Sequence, residues 1–348
     1  MLFFSRASVA KKIENGLAVQ DTGLVEAPKH ARLRPNGVFV QVPMLDSAGE
    51  VAQFEQALRA EAHSALGDAP PAWVELEGHA VNALSPADVQ RLAQAVCAGP
   101  ASVGMSINLR YLVSGALAGY RSVGVERFTF LVDDASLGFE EPVRRARAMG
   151  AFATVRLCCG KRLNGAKLMM AVQTAIAATP AQVCLLPSSD GPLDDALLER
   201  AALQLRTAGF TRDSLWVFSQ TTQHFDALSR RIHGACVGLG PCAVTSGAAI
   251  YRNPPMDRWL DTRLSGCMEV TQMHGRLQNY LSLAGGLYGM RVHRDSLSRA
   301  MLLTASRLER LGVIDGAGVP KSGWPMEFSH RVARAAWRVF QAEDGEKP

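Results

Sequence analysis

Residues Val125–Gly160 read VERFTFLVDDASLGFEEPVRRARAMGAFATVRLCCG, and this stretch decides the fold. Glu126–Val132 is strand-length, largely apolar and rich in aromatic and β-branched residues. Phe139–Met149 carries a helical pattern and stops at Gly150, the residue type that closes a helix in the left-handed conformation. Ala153–Cys159 then reads as a second strand. Strand, helix, strand is the unit that places parallel strands side by side through a right-handed crossover.

The same unit recurs on both sides. Strands are expected at Val38–Val42, Ala72–Leu76, Ser102–Ile107, Gln182–Leu186 and Ser214–Phe218, with starts roughly 23 to 35 residues apart. Glu50–Leu66 sets Val51, Phe54, Leu58, Ala62 and Leu66 along one helical face. Ser85-Pro86-Ala87-Asp88 opens another helix with a serine cap and proline in the first position. Asp194–Ala208 ends at Gly209. Seven such units predict an α/β fold, a full or partial (β/α) barrel in preference to a two-layer open sheet.

After about Asn253 the pattern changes. Helices are expected at Thr271–Leu283, Arg294–Leu311 and Met326–Gln341, and the turn-rich Gly312–Trp324 has room for a small hairpin. The chain divides into an N-terminal extension (1–35), the barrel (36–255), a mainly helical, winged-helix-like C-terminal domain (256–342) and a disordered tail (343–348).

Composition narrows the function classes. With 348 residues, 48% hydrophobic and 20% charged, the chain has material for a large core and is neither disordered nor collagen-like. Its net charge of +5 is spread without a basic run, so nucleic acid is not an expected partner. No apolar stretch approaches the roughly 18 residues of a membrane span. Met1–Val9 is apolar, but Lys11 and Lys12 follow it instead of preceding it, so no signal peptide and a cytoplasmic location are expected. The seven cysteines, odd in number and without any C-x-x-C spacing, read as reduced thiols.

In parallel α/β folds ligands bind beyond the carboxyl ends of the strands. That rule selects Pro43–Ser47, then Glu77, Gly78 and His79, then Asn108 and Arg110, Asp133 and Asp134, Cys158–Arg162, and Pro187–Asp190. Each has a plainer reading. Glu77 and His79 are loop polar groups or a satisfied pair before they are metal ligands, and Asp133-Asp134 is a capping pair before it is an acid–base dyad. Adjacent Cys158 and Cys159 point to opposite faces of a strand, so one of them at most meets a ligand. Lys161-Arg162 is a solvated loop or a site for carboxylates or phosphates. Gly238 and Gly240, in Val237–Ala243, allow close backbone approach to a ligand or a tight turn, with no dinucleotide fingerprint around them.

Val38–Pro43, Ala118–Phe128, Ala208-Gly209-Phe210, Val237–Ala243 and Tyr251-Arg252-Asn253 occur in an order that resembles the oxygen-independent coproporphyrinogen III oxidases and their haem-chaperone relatives. These are radical S-adenosylmethionine (SAM) proteins, and the resemblance runs from about Asn36 to Phe340. It implies a partial (β/α) barrel of the radical SAM type with a mainly helical C-terminal domain.

The chemical motifs depart from that family. Its C-x-x-x-C-x-x-C loop is here Met44–Glu50, and no cysteine precedes Cys97. Its Gly-Gly-Gly-Thr-Pro loop is Glu77–Val81. A carboxylate after strand three becomes Ser106, with Asn108 kept. Its Gly-x-Gln-Ser is Leu131–Asp134, and an aspartate on strand five becomes Arg156. The haem-chaperone His-Asn-x-x-Tyr-Trp falls on Asp226–Arg231, with His224 and His233 nearby. The resemblance without its thiolates implies a non-catalytic relative that binds a tetrapyrrole such as haem, or a protein partner. A 4Fe–4S cluster, SAM and a metal site are not expected in the isolated chain. Glu77, His79, Asn108, Asp133, Arg156, Gly238 and Gly240 are then the pocket candidates. The alternatives are an enzyme reusing the pocket for cluster-free chemistry with Glu77, His79 or Asp133, and a coproporphyrinogen-oxidase-like radical SAM oxidoreductase.

Overall fold

The computed structural model describes residues 22–26, 37–67, 70–78, 80–187, 195–214, 216–220, 236–246, 250–273, 299–319 and 321. Six strands run in chain order: β2 (Gly37–Gln41), β3 (Trp73–Glu77), β4 (Ser102–Asn108), β5 (Val125–Val132), β6 (Phe152–Cys159) and β7 (Gln182–Pro187). Each is parallel to the next. The helices between them are α1 (Ala48–Leu66), α2 (Pro86–Val96), α3 (Ala116–Ser122), α4 (Glu140–Ala148) and α5 (Gly165–Ala178), and α6 (Asp195–Thr207) follows β7. Strands added always on the same side, by right-handed crossovers, put every helix on one face. Helix contacts agree, since α1 touches α2, α2 touches α3, α4 touches α5 and α5 touches α6.

The strand sequences show why. Val38, Val40, Val74, Leu76, Met105, Ile107, Phe128, Phe130, Val155, Leu157, Val183 and Leu185 alternate onto the helix side and are all buried. Phe54, Ala57, Leu58 and Ala62 of α1 meet them from the other layer. Helix α1 starts where Ser47 accepts the Glu50 N–H at 3.2 Å while the Glu50 carboxylate receives the Ser47 N–H at 3.1 Å, a reciprocal cap.

The seventh parallel strand is not Ser214–Phe218. That segment forms a hairpin of β8 (Thr211–Arg212) and β9 (Val217–Ser219), and the reversal makes β9 antiparallel to β7. The seventh is β10 (Cys236–Leu239), which lies on the far side of β2. The sheet continues there through β11 (Val244–Ser246), β12 (Ile250–Arg252), β13 (Glu269–Met273) and β1 (Thr22–Glu26), all antiparallel. Its order has two ends, so the described strands form an open sheet.

Three sequence expectations change as a result. The N-terminal extension contributes β1, which pairs with β13 over five positions. Residues 271–273, expected to open a helix, belong to β13, and the rest of Thr271–Leu283 lies outside the described residues. The sheet therefore runs past residue 255, the expected end of the barrel. For β1 the cause is plain: an edge strand stabilised by a partner more than two hundred residues away leaves little local signal. Further on, α8 (Arg299–Arg310) falls inside the expected Arg294–Leu311. After it, Asp315 N–H to Val319 O at 2.9 Å and Lys321 N–H to Val313 O at 2.9 Å close a small hairpin. Met326–Gln341 and the tail 343–348 lie outside the described residues. No described helix is long and apolar enough to cross a membrane.

One buried cluster ties the late segments to α1. The Glu61 carboxylate accepts hydrogen bonds from Asn253 Nδ2 (2.7 Å), Gly240 N (2.8 Å), Trp259 Nε1 (3.1 Å) and Arg263 Nη2 (3.1 Å). Trp259 and Arg263 belong to α7 (Met256–Leu264), and Arg263 also donates to the carbonyls of Cys267 and Glu269. Removing Glu61 strands a buried guanidinium. Glu61→Ala is expected to cost about 3–5 kcal/mol in denaturant unfolding. A loss within about 0.5 kcal/mol, the size of a surface substitution, would contradict this assignment.

Candidate functional site

The sheet face opposite the helices is polar. Period-two alternation places Glu75 and Glu77 of β3, Gly104, Ser106 and Asn108 of β4, Arg127, Thr129 and Leu131 of β5, Thr154, Arg156 and Cys158 of β6, and Gln182, Cys184 and Leu186 of β7 on it. Its amino half is sealed, with Glu75, Ser106, Arg127, Thr129, Thr154 and Gln182 all buried. Its carboxyl half is partly open: Gln41, Asn108, Leu131, Arg156, Cys158 and Leu186 keep intermediate exposure. The gradient marks the carboxyl ends of the strands as the place a ligand can reach.

An ion pair sits at each level. In the sealed half Arg127 Nη2 lies 3.2 Å from Glu75 Oε2, with side chains 8% and 2% exposed. Arg127 also donates to the Val74 carbonyl and to the hydroxyl and carbonyl of Ser102. Glycine at 104 leaves the space that the Glu75 carboxylate occupies, one oxygen lying 1.9 Å from where a β-carbon would stand. Burial raises the Glu75 carboxyl above its ordinary range, Arg127 opposes the rise, and the charge of Glu77 adds to it. Beyond Glu75, Thr154, Gln182, Ser219 and Asp213 form a hydrogen-bonded chain toward β9.

In the open half Arg156 Nη2 lies 3.2 Å from Glu77 Oε1. These residues stand on β3 and β6, with β4 and β5 between them. Three steps of about 4.8 Å separate the two strands, so the side chains meet over a face that curls toward them. Burial would lower the Arg156 guanidinium, but Glu77, with Cys184 and Cys158 beside it, holds it above the ordinary arginine range.

Around this opening, Asn108 is fixed by Asn82, which accepts its N–H at 2.9 Å and donates to its carbonyl at 3.0 Å. Tyr120 in turn sets its hydroxyl 2.9 Å from the Asn82 and Leu84 carbonyls. Asp133 lies between two exposed guanidiniums, 3.2 Å from Arg110 and 3.8 Å from Arg162. Asp134 closes a turn onto Ser136 at 3.0 Å. Exposed apolar groups share the same rim: Met44 after β2, then Tyr111 and Val113 after β4.

The sequence candidates sort accordingly. Glu77 and Arg156 meet directly, Asn108 and Asp133 stand on the same rim, and His79 lies outside the described residues. Gly238 and Gly240 do not leave room for a ligand. A β-carbon on Gly238 would be 2.4 Å from the Val244 carbonyl oxygen, and one on Gly240, at φ +91°, 2.3 Å from that of Gln41. The close approach there is by the chain's own backbone. Glu75 and Arg127 were not singled out from the sequence. The signal was present, since Glu75–Glu77 and Arg127–Thr129 alternate polar residues through strands otherwise apolar on the helix side.

A radical SAM cluster needs three converging thiolates. The loop from Val42 to Ser47 offers none, and its Asp46, Ser47 and Glu50 are engaged in the start of α1. Cys158 and Cys184 share the inner face, Cys184 being buried, and Cys159 points to the helices, where burial pushes its thiol up to about 12. No three His, Cys, Asp or Glu side chains among the described residues are arranged to hold a metal ion. The donor set does not fit the cluster.

Fold and face together define an α/β protein with its parallel strands wound in chain order and a polar, ion-paired inner surface. No protein-family model and no curated sequence matches the chain. Among solved structures it is similar to coproporphyrinogen III oxidase (HemN) of Escherichia coli, described as a radical SAM enzyme. That likeness has TM-score 0.67 at 12% identity, over 95% of this chain and 93% of that one. A Coccidioides immitis protein assigned to the dihydrodipicolinate synthase family aligns at TM-score 0.33 and 10% identity, too weakly to bear on the argument. The fold is thus of the coproporphyrinogen oxidase type.

The raised Glu75 carboxyl fixes the sign of a pH effect. A group protonated more readily when folded adds stability that is present below its unfolded range and is lost as pH rises through the folded one. The stability of the wild type relative to Glu75→Gln should therefore be greater near pH 4 than near pH 8 (about the span over which a buried carboxyl titrates). Thermal melts across that range check it, and an advantage that grows with pH would contradict it.

Proposed function

We propose that this protein is a non-catalytic relative of coproporphyrinogen III oxidase that binds a tetrapyrrole at the carboxyl rim of its parallel strands, without radical SAM chemistry. The observation that carries the reading is the junction between β2 and α1. Where the radical SAM scaffold needs thiolates, this chain has a short helix-capping segment built on Ser47 and Glu50.

Support for a tetrapyrrole comes from the fold likeness and from the chemistry of the rim. Such a ligand has a broad apolar body and peripheral carboxylates. The loops after the strands carry exposed Met44, Tyr111 and Val113 as well as Arg110 and Arg162, a matching combination of apolar and cationic groups. A repurposed enzyme would need an acid, base or nucleophile aimed into the opening. Glu77, the inner carboxylate nearest to it, is engaged with Arg156.

The test is titration of the purified protein with coproporphyrin III and with haem, followed by absorption and fluorescence, beside an assay for 5′-deoxyadenosine with SAM and dithionite. Saturable binding of either tetrapyrrole with no deoxyadenosine is the expected result. Deoxyadenosine release in proportion to enzyme, or no saturable binding of either compound, would overturn the proposal.

A further inference from the structure

We infer that Arg156 is the receptor for a ligand carboxylate inside the opening, and that Glu77 is a built-in competitor which the ligand displaces. The inference rests on the tetrapyrrole reading and names the group that reads the ligand's acid function. Among the described residues, Arg127 and Arg263 are buried in ion pairs with Glu75 and Glu61, and Arg156, half-buried, is paired with Glu77. A guanidinium has five N–H donors, and taking it out of water is costly unless they are used.

The first two arginines use more of theirs. Arg127 reaches Glu75, both oxygens of Ser102 and the Val74 carbonyl through its two terminal nitrogens. Arg263 reaches Glu61, Asn253, Thr262 and the carbonyls of Cys267 and Glu269. Arg156 differs. Among the described residues its guanidinium makes one hydrogen bond, Nη2 to Glu77 Oε1 at 3.2 Å. It is the one of the three that stands on the partly open half of the face.

A single-point ion pair beside unused donors is a geometry that a second oxyanion improves. Carboxylates take guanidinium best in the two-point, fork-to-fork arrangement, which Glu77 reaching across two intervening strands does not achieve. With Glu77 in place an arriving carboxylate meets a neutralised cation, and with Glu77 neutral it meets a bare one. The two residues therefore have opposite effects on binding. A merely structural ion pair would make both substitutions harmful in the same direction.

The experiment is a fluorescence titration of coproporphyrin III against the full-length wild type, Arg156→Gln and Glu77→Gln, with thermal melts of each protein alone and with ligand. Arg156→Gln should weaken binding about ten- to a hundredfold, the loss of a charge-assisted contact. Glu77→Gln should melt lower than the wild type when free, recover more on adding ligand, and bind about tenfold more tightly. If Glu77→Gln does not fold, the wild type still decides, because it should bind coproporphyrin III in preference to its tetramethyl ester in the same detergent. Binding by the wild type with both variants equal to it, or both weaker, or with no preference for the acid, would overturn this inference and leave the tetrapyrrole reading standing. Absence of binding to the wild type and to Glu77→Gln alike would remove both.

Discussion

A parallel sheet wound in chain order sends every crossover helix to one face, and the other face has to find its own means of burial. Here the helix side is closed by Val, Leu, Ile and Phe from each strand in turn. The inner side is filled with charge. Buried charge is tolerated only in pairs, and each pair constrains the strands that supply it. Glu75 reaches Arg127 across β4, which is possible because residue 104 has no side chain. Glu77 reaches Arg156 across β4 and β5. The sealed pair closes the lower part of the face, and the more open pair leaves a site at the carboxyl ends.

The same constraint bears on the proposed departure from radical SAM chemistry. The scaffold likeness extends over nearly the whole chain, yet the residues at its chemical positions serve the fold. Ser47 and Glu50 cap α1, and Arg156 neutralises a buried carboxylate. Glu61 gathers Gly240, Asn253, Trp259 and Arg263, holding β10, α7 and the start of β13 against α1. On the proposed reading, the chain keeps the fold of coproporphyrinogen III oxidase with a helix cap and an ion pair at the positions where the radical SAM chemistry would lie.

Much of this was legible in the sequence where the determinants are local. The strands of Val125–Gly160 and the helix between them follow from alternation and from Gly150, and the start of α2 from Ser85-Pro86. Pairing across long sequence distances was not legible. Thr22–Glu26 becomes a strand because β13 lies beside it, and Val217–Ser219 runs antiparallel because a short hairpin turns it round. In the site, Glu77 and Arg156 were visible as residues near strand ends, but their pairing depends on curvature that no local pattern encodes. Glu75 and Arg127 stand mid-strand, away from the strand ends where a ligand is expected, and of the two readings of Gly238 and Gly240, ligand approach or a tight turn, the close approach is by the backbone of β11 and β2.

On the proposed reading, a capped helix start and an ion-paired inner face stand where a radical SAM enzyme of this fold would carry its cluster. The most direct measurement is the iron and acid-labile sulfide retained by the full-length protein after anaerobic reconstitution and desalting, with electron paramagnetic resonance of the dithionite-reduced sample. The account predicts metal and sulfide well below one cluster per chain and no cluster signal. A stoichiometric 4Fe–4S cluster with its reduced-state resonance would contradict it.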